Sequence, residues 1–142
     1  MRSVADLLSS KGHQVWAVAP DQTVLDAIRM MADKEVGALL VTRGDQVVGI
    51  VSERDYARKI VLKGKSSETT PVADVMSSDV TSVSPRQSVE ECMAVMTAKR
   101  IRHLPVLDGG KVVGIVSIGD LVKAVIEEQK FTISQLEHYI HT

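Results

Sequence analysis

The chain is organised around a seven-residue stretch that it carries twice, as Gly49-Ile50-Val51-Ser52-Glu53-Arg54-Asp55 and as Gly114-Ile115-Val116-Ser117-Ile118-Gly119-Asp120. The two copies start 65 positions apart, at residues 49 and 114. Each copy ends an apolar run with strand character and opens a run with helical character. A strand that stops at a hydroxyl residue and restarts as a helix leaves free backbone N–H groups, which favour an anion together with the helix dipole. The closing Asp can cap that helix or accept hydrogen bonds from a sugar diol, and the spacing fits both roles.

The flanks of the stretch repeat as well. Residues 4–10 read as a short helix, and residues 72–78 repeat them nearly letter for letter. Thr23 and Ser88 are N-cap-type residues that precede amphipathic helices, and Ser88 forms a capping box with Glu91. Each copy is therefore predicted to run helix, strand, helix, strand, strand, helix.

The remaining elements follow from hydrophobic periodicity and turn residues. Strands are predicted at 15–18, 37–41 and 46–51, and again at 80–83, 103–107 and 111–116; helices are predicted at 55–62 and 120–128. One more helix is predicted over 131–140. The predicted organisation is repeat 1 at 1–63, a polar linker at 64–71, repeat 2 at 72–128 and a helical extension at 129–142. This is an α+β fold of two β-α-β-β-α repeats, expected to pack through their sheets about a pseudo-two-fold axis, with ligand clefts at the interface.

Composition narrows the function class. A net charge of −1 gives the chain no general attraction to nucleic acid or to an anionic membrane. The single cysteine, Cys92, excludes an internal disulfide and favours a reducing compartment, so we expect the cytoplasm. The sequence shows no secretory leader and no apolar run of transmembrane length.

The doubled Gly-Ile-Val-Ser-x-x-Asp stretch resembles a tandem pair of CBS domains, also called a Bateman module. Pro20 and Pro85, each before a capped amphipathic helix, and the strand at residues 102–106 share in this resemblance, which covers nearly the whole chain. The resemblance implies a small stand-alone protein that binds adenosyl ligands: AMP, ADP, ATP, S-adenosylmethionine or NAD. It also implies a homodimer, an effector protein as partner, and no catalytic cofactor.

The resemblance also implies which residues bind the nucleotide. The Asp that closes each motif is expected to hold the ribose diol, and the Ser the phosphate or ribose. One cleft would combine the second motif with the strand of the first copy: Val15, Trp16, Arg102, His103, Pro105, Ile115, Ser117 and Asp120. The other would combine the first motif with the segment of the second copy: Gly37, Ala38, Ile50, Ser52, Arg54, Asp55, Arg58, Val80, Thr81 and Ser82.

Two features allow alternative interpretations. The basic run at residues 99–103 can be a solvated helix end, or Arg102 or His103 can contact a phosphate. Its counterpart in the first copy is much less basic, so the two clefts are expected to differ, with Arg54 and Arg58 serving the other cleft. Trp16, the only tryptophan, can be a core residue or can flank an adenine.

Other patterns carry no chemistry. The sequence Gly109-Gly110-Lys111 resembles a P-loop end but lacks the required Gly and Ser or Thr, so it is predicted to be a turn. His138 and His141 are typical of an exposed helix end rather than a metal site. Because no catalytic constellation is evident, the hypothesis is a non-catalytic adenosyl-ligand sensor. The alternative is a structural or partner-docking dimerisation module with empty clefts.

Overall fold

The computed structural model of the chain describes residues 2–141, and for residue 141 the backbone alone. The described residues form two compact units. The first unit spans residues 15–80 and holds the motif at 49–55. The second unit combines the residues up to 14 with those from 81 onward, and it holds the motif at 114–120. The unit boundaries therefore do not follow the repeats in sequence: the N-terminal helix precedes the first copy but belongs to the second unit.

The first unit contains a three-stranded sheet and four helical segments. Its elements are β1 (Ala17–Val18), α2 (Val24–Lys34), β2 (Ala38–Arg43) and β3 (Gln46–Ser52). Strand β2 pairs in parallel with β1 and antiparallel with β3. Strand β3 leads into the short helix α3 (Glu53–Asp55), a π-helix (Tyr56–Val61) and, further along, a 3₁₀-helix (Val72–Asp74).

The second unit repeats this plan with fewer strands and longer helices. Its elements are α1 (Val4–Lys11), α4 (Val89–Lys99), β4 (His103–Asp108), β5 (Lys111–Ser117) and α5 (Ile118–His141). Strands β4 and β5 form an antiparallel hairpin, which Val83 extends by an isolated parallel bridge to Val106. The predicted α+β class, with two repeats and a C-terminal helix, is confirmed.

Helix starts follow the local chemistry of the chain. Ser88 with Glu91 forms the predicted capping box, and Thr23 with Asp26 forms a second one, each with side chain and backbone bonded in both directions. Ser3 with Asp6 adds a third at the start of α1. Such boxes satisfy backbone N–H groups that a helix start leaves without partners, and they fix where each helix begins.

Several sequence-based boundaries were wrong. The strand predicted at 15–18 covers only Ala17–Val18, and the helix predicted at 55–62 begins at Glu53 and continues as a π-helix from Tyr56 to Val61. The helix predicted to end at residue 128 continues to His141, because no Gly or Pro interrupts α5 after its first turn. Residues 80–82 are not a strand, and only Val83 forms a bridge. Residues 72–78 fold as a helix only over Val72–Asp74, in the 3₁₀ form.

The first glycine of each motif permits a close approach of another segment. A Cβ on Gly114 would lie 2.7 Å from Cδ2 of Leu8, a fully buried side chain of α1. A Cβ on Gly49 would lie 2.6 Å from Sδ of Met76 in the equivalent segment of the first unit. Real Cβ contacts are longer than this, so the absent side chain is what lets each segment pack against its motif strand.

Candidate functional site

The two motifs form the same local structure, a strand end joined directly to a helix start. In the second unit, the Ser117 backbone N–H donates to Oδ2 of Asp120 at 2.8 Å, and the Asp120 N–H donates to Oγ of Ser117 at 3.1 Å. In the first unit, the Ser52 N–H donates to Oδ2 of Asp55 at 2.9 Å, and the Asp55 N–H donates to Oγ of Ser52 at 3.3 Å. Both aspartates therefore cap their helices, as one of the two predicted roles requires.

Asp120 also forms an ion pair that was not predicted from the sequence. The Lys11 ammonium donates to Oδ2 of Asp120 at 2.6 Å and to the backbone carbonyl of Ile115 at 2.6 Å. Both side chains are about one third or less exposed, at 33% for Lys11 and 24% for Asp120. The 109 positions between the two residues leave no local signal for this pair. Lys11 thus ties the end of α1 to the motif in the second unit.

Asp55 receives a lysine from its own helical segment. The Lys59 ammonium lies 3.1 Å from Oδ1 of Asp55, at the i,i+4 spacing, and it donates to the Val75 carbonyl at 2.8 Å. This pair follows a regular sequence rule and could have been predicted. Each motif aspartate therefore has a lysine partner, but the lysine comes from a different position in each unit.

The two carboxylates differ in which oxygens are occupied. Among the described residues, the contacts to the Asp120 carboxylate all fall on Oδ2, from Ser117 and Lys11. Asp55 is contacted on both oxygens, with Ser52 on Oδ2 and Lys59 on Oδ1. A carboxylate needs acceptor capacity on both oxygens to hold two neighbouring hydroxyls. The second motif is therefore the better acceptor for a diol.

Asp120 is a carboxylate whose environment favours the charged form. Burial alone would raise the pKa of Asp120, but the hydrogen bond and charge of Lys11 and the Ser117 N–H outweigh it, so the pKa lies below the ordinary 3.8. At neutral pH the side chain is therefore ionised and acts only as an acceptor.

His103 lies beside this carboxylate. Strand register pairs His103 with Ser117 across β4 and β5. Burial lowers the pKa of His103 below its ordinary 6.5, the Lys11 charge lowers it further, and the opposing effect of Asp120 does not reverse the direction. The imidazole is therefore neutral at pH 7 in this structure, and an added phosphate would favour its protonation.

The structure brings several other predicted residues to the second motif. Pro105 is buried and pairs with Ile115 in the hairpin register, and Arg102, an exposed residue, accepts from the Ile118 N–H at 2.8 Å through its backbone carbonyl. Thr81 and Ser82 precede the bridge at Val83 in the same unit.

The first unit carries the rest of the predicted site. Ala38 and Ile50 lie on β2 and β3, where Ala38 pairs with Ser52, and the Gly37 carbonyl accepts from the Glu53 N–H at 3.0 Å. Arg54 lies in α3 and is partly buried, whereas Arg58 lies in the π-helix and is exposed. Val15 and Val80, both partly buried, lie at the two ends of the unit. The roles of all these residues in ligand binding stay predictions.

Trp16 has a defined environment in the first unit. Its partly buried ring packs against the core cluster around Val18 and Leu39. The Lys34 ammonium lies 4.4 Å from the ring centroid, a cation–π distance. The core interpretation of Trp16 has this packing in its favour, and the contact with an adenine stays a prediction.

A cavity opens beside the Lys11–Asp120 pair. It has a volume of about 310 Å³ and lies within the second unit. Its charged lining residues are Arg2, Lys11, Asp120, Lys123 and Glu127. The volume is at the lower end of the range for small-molecule sites.

The described residues hold no group of three His, Cys, Asp or Glu side chains that could bind a metal ion. The side chain of His141, one of the two histidines considered above, lies outside the described part of the chain. Cys92 is buried, and burial together with the Glu91 charge raises the pKa of its thiol to about 11, so the thiol is inert at neutral pH. In the described range 2–141, no helix combines the length and the apolar character needed to cross a membrane.

Comparison with known proteins agrees with the doubled motif. The CBS domain family profile matches the chain twice, at residues 4–62 and 72–127. The structure of a CBS-domain protein from Burkholderia ambifaria, assigned to signal transduction, shares 53% sequence identity with a TM-score of 0.87, over 90% of this chain and 96% of that one. The mitochondrial CBS domain-containing protein CBSX3 of Arabidopsis thaliana is 40% identical, over 97% of this chain and 71% of its own length.

The match with a bacterial relative also spans most of both chains. The CBS domain-containing protein YhcV of Bacillus subtilis is 36% identical over 85% of this chain and 84% of its own length. The family match spans most of the chain in two copies, and the motif geometry is the same in both. The chain therefore belongs to the CBS-domain family, as a tandem pair of CBS domains.

Proposed function

We propose that the chain is a non-catalytic regulatory module that binds an adenosyl ligand, with Asp120 as the acceptor for the ribose hydroxyls. The observation that carries this proposal is the ionised, partly buried Asp120 carboxylate, whose described contacts all fall on Oδ2. Its Oδ1 can accept from one ribose hydroxyl directly, and Oδ2 can accept from the second if Lys11 moves aside or shares it.

Phosphate recognition in this proposal falls to cationic groups near the same carboxylate. Lys11 is already within hydrogen-bond distance of Asp120, and its ammonium could turn to a phosphate while the ribose takes its place. His103 can gain a proton beside a phosphate, and the exposed Arg102 can approach it. AMP, ADP, ATP, NAD and S-adenosylmethionine all offer the shared adenosyl group, and the nucleotides add charge that these residues would favour.

The first motif is proposed to bind more weakly. Both oxygens of Asp55 already carry contacts, from Ser52 and Lys59. A diol would have to displace contacts on both sides of this carboxylate, and each displaced charge-assisted bond has a cost. We therefore expect occupancy of the second motif first. Signalling follows if the ligand has different affinities for two arrangements of the module, and we place this activity in the cytoplasm with an effector protein downstream.

A ligand panel tests this proposal. Thermal denaturation is followed with AMP, ADP, ATP, NAD, S-adenosylmethionine and adenosine, because a ligand that binds the native state raises the melting temperature by mass action. We expect at least one adenosyl compound to stabilise the wild type, and Asp120→Asn to remove more of that stabilisation than Asp55→Asn. If no adenosyl compound shifts the melting temperature, the alternative of a docking and dimerisation module replaces the proposal.

The docking alternative has one observation in its favour. Helix α5 exposes a series of large apolar side chains, with Leu136 and Ile140 57% and 74% exposed. Exposed apolar patches of this kind mark interaction surfaces. This surface does not exclude ligand binding at Asp120.

A further inference from the structure

Helix α5 extends beyond the core of the second unit. Its first turns bury Leu121 and Ala124 on that core, with 0% and 3% of these residues exposed. Every residue from 131 to 140 is exposed. Only tertiary packing normally makes a helical segment of this length stable in water, so an exposed α5 needs another source of stability.

Five exposed apolar residues of α5 fall on one face at heptad spacing. Positions along this face are separated alternately by four and three residues, a repeat of 3.5 that is typical of coiled coils. The seam consists of Val122, Ile126, Gln129, Ile133, Leu136 and Ile140. Its apolar members are 41% to 74% exposed. The seam begins in a groove of about 470 Å³ that Ile118, Val122 and Ile126 line.

We propose that this seam binds the seam of a second copy of the chain as a parallel, in-register pair of helices. The heptad positions favour this occupant. Isoleucine occupies every a position of the seam, at 126, 133 and 140, and valine and leucine occupy the d positions at 122 and 136. A β-branched residue at a with leucine at d favours two parallel strands.

Gln129 selects the register and the direction. It is the single polar residue of the seam. In a parallel pair the two Gln129 side chains face each other and can satisfy each other's amide groups. In a fully overlapping antiparallel pair, Gln129 would face Ile133, and a buried amide without a partner is unfavourable. One polar layer therefore stabilises one arrangement over its alternatives, as polar seam residues do in coiled coils.

The flanking charges agree with the parallel arrangement. The e positions hold Lys123, Lys130 and Glu137, and the g positions hold Val125, Thr132 and Tyr139. In a parallel pair each e position lies near a g position of the other helix, so no two like charges meet. In the antiparallel pair the e positions lie near each other, and the two copies of Lys130 would meet close to the midpoint, where like charges repel.

The seam is short, and this sets the strength of the contact. Its 19 residues span about 28 Å at 1.5 Å per residue. A coiled coil of this length alone would be weak, but packing of Leu121 and Ala124 on the core holds the start of each helix in place. We therefore expect a reversible dimer that single seam substitutions disrupt.

Cysteine cross-linking tests the arrangement, because Cys92 is buried and does not interfere. Gln129→Cys is expected to give a disulfide-linked dimer under mild oxidation. Phe131→Cys is the matched control: Phe131 lies two residues away, on the opposite side of the helix from the seam, and is 65% exposed. Equal cross-linking of the two variants would overturn the proposal. If a disulfide forms only when the Gln129→Cys variant is mixed with the Ile133→Cys variant, the helices are antiparallel and the parallel arrangement is wrong.

Sedimentation measures the energetic contribution of the seam. Ile133→Asp is expected to raise the dissociation constant of the dimer roughly tenfold or more, because a charge would enter an apolar interface. Phe131→Asp adds the same charge outside the seam and is expected to change the dissociation constant of the dimer by no more than about twofold. Both residues are exposed, so neither substitution perturbs the core of the second unit. Equal effects of the two substitutions would contradict the proposal.

Discussion

The Lys11 ammonium lies 2.6 Å from Oδ2 of Asp120 and so joins the end of α1 to the start of α5. In the sequence repeat, the residue 68 positions after Lys11 is Asp79, which cannot form the equivalent pair. The first unit instead uses Lys59, from the segment that follows its own motif. Two nearly identical motifs therefore differ in the one cation that touches the carboxylate.

Replacement of Lys11 with Met is expected to destabilise the protein by about 0.5–1 kcal/mol at pH 7, because the pair is partly exposed. Asp120 has a folded-state pKa below its unfolded value, so its contribution to stability is present above pH 3.8 and is lost as the pH falls through the folded pKa. The difference between wild type and Lys11→Met should therefore shrink in urea unfolding below pH 3.8. A difference that stays constant as the pH falls would show that Lys11 acts through packing alone.

Most of the local structure around the Lys11–Asp120 pair could be predicted from the sequence. The repeat of Gly-Ile-Val-Ser-x-x-Asp placed both strand-to-helix junctions, and the capping residues placed the starts of α2 and α4, because both signals act over a few residues. The Lys11–Asp120 pair was not predicted because the two residues are 109 positions apart in the sequence. The continuity of α5 was missed because the polar residues at 127–130 read as the end of a helix, although none of them breaks one.

Gly114→Ala is expected to destabilise the second unit by about 1–3 kcal/mol, because the new Cβ would lie 2.7 Å from the buried Leu8 side chain. Gly119→Ala is the control, since a Cβ there has its nearest neighbour at an ordinary 3.6 Å, on Ser117 Oγ. Thermal denaturation compares the two variants. If Gly114→Ala melts at the wild-type temperature, the close approach of α1 to the motif strand is not needed for stability.

His103 is expected to titrate below pH 6.5 in the free protein, since burial and then the Lys11 charge lower its pKa. Protonation is thus disfavoured in the folded state, so His103 should make the protein less stable as the pH falls below 6.5. Binding of AMP should raise this pKa if the phosphate lies beside the imidazole, and adenosine should leave it nearly unchanged. NMR titration of the imidazole protons measures both values, and equal effects of the two ligands would place the phosphate elsewhere.

If Asp120 holds the ribose hydroxyls of an adenosyl ligand, its replacement should reduce the discrimination between a ribose and a deoxyribose ligand, which calorimetry measures as a double difference. AMP and 2′-deoxy-AMP are titrated into the wild type, Asp120→Asn and Asp55→Asn. Loss of the 2′-hydroxyl is expected to weaken binding to the wild type by about 1–3 kcal/mol, because a bond to a charged acceptor is lost. Asp120→Asn is expected to remove most of this difference, and Asp55→Asn to keep it. An undiminished preference for AMP in Asp120→Asn would show that Asp120 does not hold the ribose and serves only as a helix cap.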